Sequence, residues 1–219
     1  MKKSSFTFSI LLSAVVLLLS PLLPAGGDLK PIQLLKPRME GGKPLLEALK
    51  ERRSSREFSN QKLPGQLLAD LLWAAFGVNR PEAGKRTAPS AVNWQEIDIY
   101  VALEEGLFLY DALANMLKPV LGEDIRALTG NQDFTQDAPV NLIYVADLSR
   151  MGKADRERQD FYSAADTGFI SQNVYLFCAS EGLVTVVLGH VDKPALEKKM
   201  GLRPDQKVIL TQPVGYPEK

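Results

Sequence analysis

Two hydrophobic periods run along this chain, and the switches between them lay out its elements. From Pro44, Leu45, Leu46 and Leu49 fall on one side of a predicted helix whose first turn suits a proline and whose end falls near Arg52. Pro64 begins a second helix, with Leu67, Leu68, Leu71, Leu72, Ala75 and Phe76 as an apolar stripe, Trp73 and Phe76 read as core, and Gly77 as the stop. The period then falls to two. Ile97, Ile99 and Val101 alternate with Asp98 and Tyr100 in a strand, and Leu107–Tyr110 reads as its hairpin partner. A short helix is expected around Ala112–Val120, a buried strand over Asn141–Ala146, and the longest helix over 155–181, capped by Gly182. Val184–Leu188 reads as a central strand, 192–200 as a helix and Val208–Thr211 as the last strand. The fold class is therefore α+β, with helices flanking a mixed or antiparallel sheet of four to five strands.

The ends of the chain read differently. Residues 28–43 carry Pro31, Pro37, Gly41 and Gly42 without a period, which predicts an extended arm ahead of one domain at 44–219. In residues 1–27, Lys2 and Lys3 precede an uncharged stretch from Phe6 to Leu23, followed by Ala25, Gly26 and Gly27. A basic start, an apolar middle and a small-residue end describe a secretory signal peptide. The stretch is also long enough for an uncleaved membrane anchor, the rival reading. Without a following cysteine or a preceding arginine pair, the segment predicts export of an unfolded chain to the periplasm or beyond.

Composition narrows the function classes. With 219 residues, 45% apolar and 24% charged, the chain has room for one ordinary globular core. Its net charge is zero, so no basic excess is present to hold a nucleic-acid backbone. Cys178 is the one cysteine, which excludes an intrachain disulfide, and its apolar neighbours suggest an inert buried thiol. His190 is the one histidine, which rules out metal sites built on histidine pairs. Asp133 and Asp166 read as isolated carboxylates, giving no support to paired-acid hydrolysis. Lys198-Lys199 reads as a solvated face.

The densest chemistry is Arg52-Arg53-Ser54-Ser55-Arg56-Glu57-Phe58. Planar guanidinium forks and serine hydroxyls suit phosphate oxygens, although an Arg-rich helix end can equally be a solvated face. A second motif follows at Pro89-Ser90-Ala91-Val92-Asn93 and a third at Gly189-His190-Val191-Asp192.

These three motifs, in this order, resemble the nitroreductase family over about Pro44 to Gly215. The resemblance implies FMN held at the interface of a homodimer. By the family pattern Arg52, Ser54 and Arg56 would bind the FMN phosphate, with Arg53 adding backbone and side-chain contacts. Pro89, Ser90, Ala91 and Asn93 would reach the flavin of the other subunit, and the amides of Gly189 and His190 would face flavin N5. The activity implied is ping-pong hydride transfer through N5 on a small organic substrate. His190 is the candidate proton donor, or else a backbone contact whose side chain packs. Phe161 and Tyr162 would stand at the start of the long helix as core or as a roof over the substrate.

Within the family the likeness is to the SagB-type dehydrogenases, through Leu71–Val78, Arg86–Ala91, Gly106–Asp111 and Gln172-Asn173. Where those proteins carry Gly-Ala-Leu-Tyr-Pro, this chain has Val92-Asn93-Trp94-Gln95-Glu96, a departure that argues against an azole-forming substrate while leaving FMN binding intact. NAD(P)H is the donor the family commonly uses, and it is scarce outside the cytoplasm, so export and that donor pull against each other. Alternatives to an oxidoreductase are a non-catalytic flavin-binding or degenerate member, and a binding module that kept the fold without the cofactor.

Overall fold

The computed structural model describes residues 29–218; the expected signal segment, 1–27, lies outside them. Ten strands and five α-helices follow one another as β1 (Ile32–Gln33), α1 (Leu45–Glu51), β2 (Phe58–Ser59), α2 (Gly65–Phe76), β3 (Val78–Arg80), β4 (Lys85–Arg86), β5 (Ile97–Leu103), β6 (Gly106–Asp111), β7 (Met116–Leu121), α3 (Phe134–Asp137), β8 (Val140–Asp147), α4 (Arg156–Glu181), β9 (Val184–Thr185), α5 (Lys193–Met200) and β10 (Gln206–Pro217). The main sheet runs β1-β7-β6-β5-β8-β10-β2, with β9 paired to β10 off that path. Every pair in it is antiparallel.

The sheet is larger than the four to five strands expected, with eight, because short strands at its margins pair too few residues to leave a periodic signal. Alternation along the central strands divides their side chains between two faces. Ile97, Ile99 and Val101 of β5 and Leu142, Tyr144 and Ala146 of β8 pack with α2 and α4. Tyr100, Ala102, Ile143 and Val145 point the other way, toward Leu196 and Met200 of α5. Leu71 and Leu72 are fully buried, as the stripe in the second helix requires. Phe76 is core, and Trp73 only half-buried.

Three expectations are corrected. Residues 112–120 form no helix: the Asp111 carboxylate accepts from the N–H groups of Leu113 and Ala114, Asn115 turns left-handed at φ 49, and Met116–Leu121 returns as β7 between β6 and β1. Cross-strand pairing there overrides a helical composition. Val184–Leu188 is not a central strand, since only Val184 and Thr185 enter the ladder as β9, with an isolated bridge from Leu188 to Thr211. Leu45, Leu46 and Leu49 share one side of α1 as read, but that side is exposed, and only Ala48 is buried.

Candidate functional site

Helix α1 stops at Glu51 because Arg52 turns extended (φ −54, ψ 122), although its N–H still reaches the Ala48 carbonyl. The next residues run without regular structure to β2 and are fastened to the far end of α4. The Ser54 hydroxyl lies 2.9 Å from the Tyr175 hydroxyl, which accepts the Val187 N–H, also at 2.9 Å. A phenol that accepts from an amide retains its own proton to give to Ser54. The Ser55 N–H donates to the Thr185 carbonyl at 3.1 Å, and the Arg52 guanidinium lies over the Tyr175 ring, 5.2 Å from its centre. Glu51 is engaged by Lys43, which holds its carboxyl below the usual range. Among the described residues Arg52, Arg53 and Arg56 form no ion pair, and Arg53, Ser54 and Arg56 are exposed. Arg53 lines a cleft of about 420 Å³ with Tyr175, Cys178 and Val184, whereas Arg56 lines a separate one with Phe58 and Asn60.

Residues 185–190 carry this strip to the third motif. Gly189 and His190 are exposed, and their N–H groups have no protein acceptor among the described residues. The His190 imidazole leans on Asn131, with Nε2 3.4 Å from Asn131 Nδ2, and the His190 carbonyl accepts the Asn131 N–H. Asp192 closes the motif by accepting from Ala195 N–H at the start of α5.

The second motif lies elsewhere, against the first half of α4. Ala91 N–H donates to Asp166 at 2.8 Å, and Ser90 Oγ accepts from Gln95 N–H at 2.9 Å. The Gln95 side chain takes the Arg86 guanidinium and donates to the Gly84 carbonyl and to Asn93. Val92, Asn93 and Gln95 all have left-handed backbones, at φ 53, 60 and 48, and Val92 is 81% exposed. For a β-branched residue that conformation is strained. Asp166 and Tyr175 stand roughly 14 Å apart along α4 at 1.5 Å per residue. The arginine strip and the third motif therefore meet within one chain, while Pro89, Ser90, Ala91 and Asn93 gather apart from them.

A model of the family described as "Nitroreductase family" matches residues 49–216. The chain belongs to the nitroreductase family. It is 32% identical over 199 residues to an inferred nitroreductase of Methanocaldococcus jannaschii, spanning 86% of this chain and 98% of that one. The crystal structure of an inferred nitroreductase from Ralstonia eutropha superposes with a TM-score of 0.84 at 41% identity, over 91% of this chain and 97% of the other. An NADPH:FMN oxidoreductase from Vibrio harveyi, solved with NAD+, shares the fold at a TM-score of 0.61 and 20% identity, over 80% and 69% of the two chains.

Nitroreductase-family members are FMN-dependent oxidoreductases. The donor set fits FMN: three guanidinium groups that form no ion pair among the described residues and one hydroxyl held by a tyrosine suit its phosphate, and the unengaged amides of Gly189 and His190 suit its ring. Two parts of this arrangement escaped the sequence reading. Tyr175 reads as one more packing residue in an apolar helix face, and only its contact with Ser54 and Val187 distinguishes it. Asp166 is not isolated: Glu96, at the head of β5, is buried beside it. Phe161 is exposed, and Tyr162 packs edge-on against Trp94 at 5.7 Å between ring centres.

Proposed function

We propose that this chain is an exported, FMN-dependent oxidoreductase that works as a homodimer on a small organic substrate. The arginine strip carries the reading, because it is free of ion pairs among the described residues and bonded through Ser54 and Tyr175 to the segment leading to Gly189. Arg52, Ser54 and Arg56 hold the phosphate and Arg53 adds backbone and side-chain contacts. The Gly189 and His190 amides present donors to the ring, where a donor stabilises developing negative charge. When bound, FMN supplies two-electron hydride chemistry at N5, in alternating half-reactions. The imidazole of His190 is the candidate proton donor beside the ring.

The separation of the motifs supports dimerisation. Pro89, Ser90, Ala91 and Asn93 complete the site of the other subunit, and the exposed leucines of α1 give the subunits an apolar face. The SagB-like segments support a dehydrogenase direction, in which an oxidisable organic molecule rather than NAD(P)H reduces the flavin outside the cytoplasm. Val92–Glu96 argue against an azole-forming substrate. The N-terminal segment supports export.

An absorption spectrum of the purified protein, with melting curves in added FMN and riboflavin, tests the cofactor. Yellow protein, stabilised more by FMN than by riboflavin, is expected, since a ligand stabilises the state that binds it. Colourless protein indifferent to FMN overturns the reading, and bound flavin that no donor or light reduces would leave a flavin-binding protein. N-terminal sequencing of the protein from fractionated cells tests export.

A further inference from the structure

The loop that carries the second motif rests on two buried acids that the proposed chemistry does not use. Glu96 is wholly buried, neither of its carboxyl oxygens meets a protein donor among the described residues, and the Asp166 carboxyl lies within hydrogen-bonding reach of it. Asp166 of α4 is 2% exposed, and its Oδ2 already accepts the Ala91 N–H. The hydroxyl of Thr167, beside Asp166, is buried without a partner as well. Two adjacent carboxylates cannot both stay charged in such a place. Burial, then the neighbouring Asp166, pushes the Glu96 carboxyl up to about 7. Burial also raises Asp166, and the Ala91 N–H offsets part of that rise.

The surroundings do not neutralise the pair. Arg150, in the turn after β8, is the cation felt by Glu96, but its guanidinium is spent on Asp98 at 2.7 Å and on the Gln95 carbonyl at 2.9 Å. Asp147 at the end of β8 lies 3.5 Å from Arg150 and is taken by Arg203 at 2.9 Å. Arg86 of β4 faces Gln95, and Tyr162 of α4 faces Trp94.

We propose that Glu96 and Asp166 are positioning residues for the flavin site, sharing one proton that keeps Asp166 on the Ala91 amide and so holds the Pro89–Gln95 loop in its left-handed form. This rests on the flavin reading above, in which that loop completes the neighbouring subunit's site. The left-handed backbones of Val92, Asn93 and Gln95 persist only where contacts overdetermine them. Of those contacts, Ser90 to Gln95 and Gln95 to Arg86, Gly84 and Asn93 do not titrate near neutrality, whereas Ala91 to Asp166 depends on the pair. When the shared proton leaves, two buried carboxylates repel, Asp166 withdraws, and the loop relaxes.

The test uses the full chain with Trp73→Phe as background, so that Trp94 alone reports on the loop. Between about pH 6 and about pH 8.5 the parent should show a sigmoidal change in Trp94 emission and an approximately tenfold loss of FMN affinity. Glu96→Gln, whose amide is a permanent donor to Asp166, should hold both signals flat, and Asp166→Ala should resemble the high-pH parent throughout. A flat parent, or a Glu96→Gln profile that titrates like the parent, overturns the proposal. If the parent binds no FMN at any pH, the flavin reading fails, and the Trp94 titration of the flavin-free protein still decides the role of the pair. If Glu96→Gln does not fold, an infrared titration of the parent decides: a protonated-carboxyl band lost over the same range supports the shared proton, and its absence at about pH 6 overturns it.

Discussion

The hydroxyls of Ser54 and Tyr175 lie 2.9 Å apart, and through them the arginine strip is bonded to the backbone of Val187. Two segments far apart in sequence are thereby held at a fixed separation, as a ligand with an anionic tail and a flat ring would require.

Tyr175→Phe removes that bridge and leaves the half-buried Val187 N–H without a partner. The expected cost is about 1–2 kcal/mol of stability in the flavin-free protein. FMN affinity should fall roughly tenfold for the same reason, read by flavin fluorescence titration. Unchanged affinity would show that Tyr175 only packs.

Arg52→Ala and Arg56→Ala should weaken FMN about 10- to 100-fold each, the range of a charge-assisted hydrogen bond, while leaving riboflavin within about twofold. Parallel titrations with the two flavins separate phosphate recognition from ring recognition. Equal losses for both would place the phosphate elsewhere.

The buried acids predict a pH dependence of stability with a definite sign. Glu96 has a native value of about 7 against an ordinary 4.5, so its protonated form is the native one. Its contribution is fully present below about pH 4.5, declines as the unfolded chain ionises, and is lost by the time pH passes about 7. Glu96→Gln removes the penalty, worth at most about 3 kcal/mol, and should raise Tm by up to about 10 °C at pH 8, with little change at pH 4.5. Calorimetry at both pH values checks this, and a variant less stable than the parent at pH 8 would contradict it.

Leu46 is 79% exposed on α1, beside Leu45 and Leu49. Leu46→Glu should turn a dimer into a monomer by sedimentation and weaken FMN binding with it, because the 89–93 loop then has no second subunit to serve. A parent that sediments as a monomer with FMN bound would sink this arrangement.

The long periodic elements were legible in the sequence because their partners bury them along a whole face, as with Leu71 and Leu72 or the alternating Ile97, Ile99 and Val101. What misled was local composition under tertiary control. Ala112–Asn115 favours a helix by propensity, yet Asp111 captures two of its amides and Asn115 closes a hairpin. Val184–Leu188 has strand residues throughout, but Tyr175 takes the Val187 N–H, leaving two residues in the ladder. The arginine strip and the glycine turn could be listed from the sequence as separate motifs. Their junction through Tyr175 could not, nor could the meeting of Glu96 with Asp166, because each depends on where α4 lies over the sheet.

Cys178 is 1% exposed, and burial holds its thiol far above the range in which it ionises. Alkylating reagents will therefore react slowly with the native molecule, although Cys178 borders the cleft beside Arg53, and label it fastest when α4 lifts from the sheet. That makes the lone sulfur a built-in clock for opening, readable by mass spectrometry without any added probe.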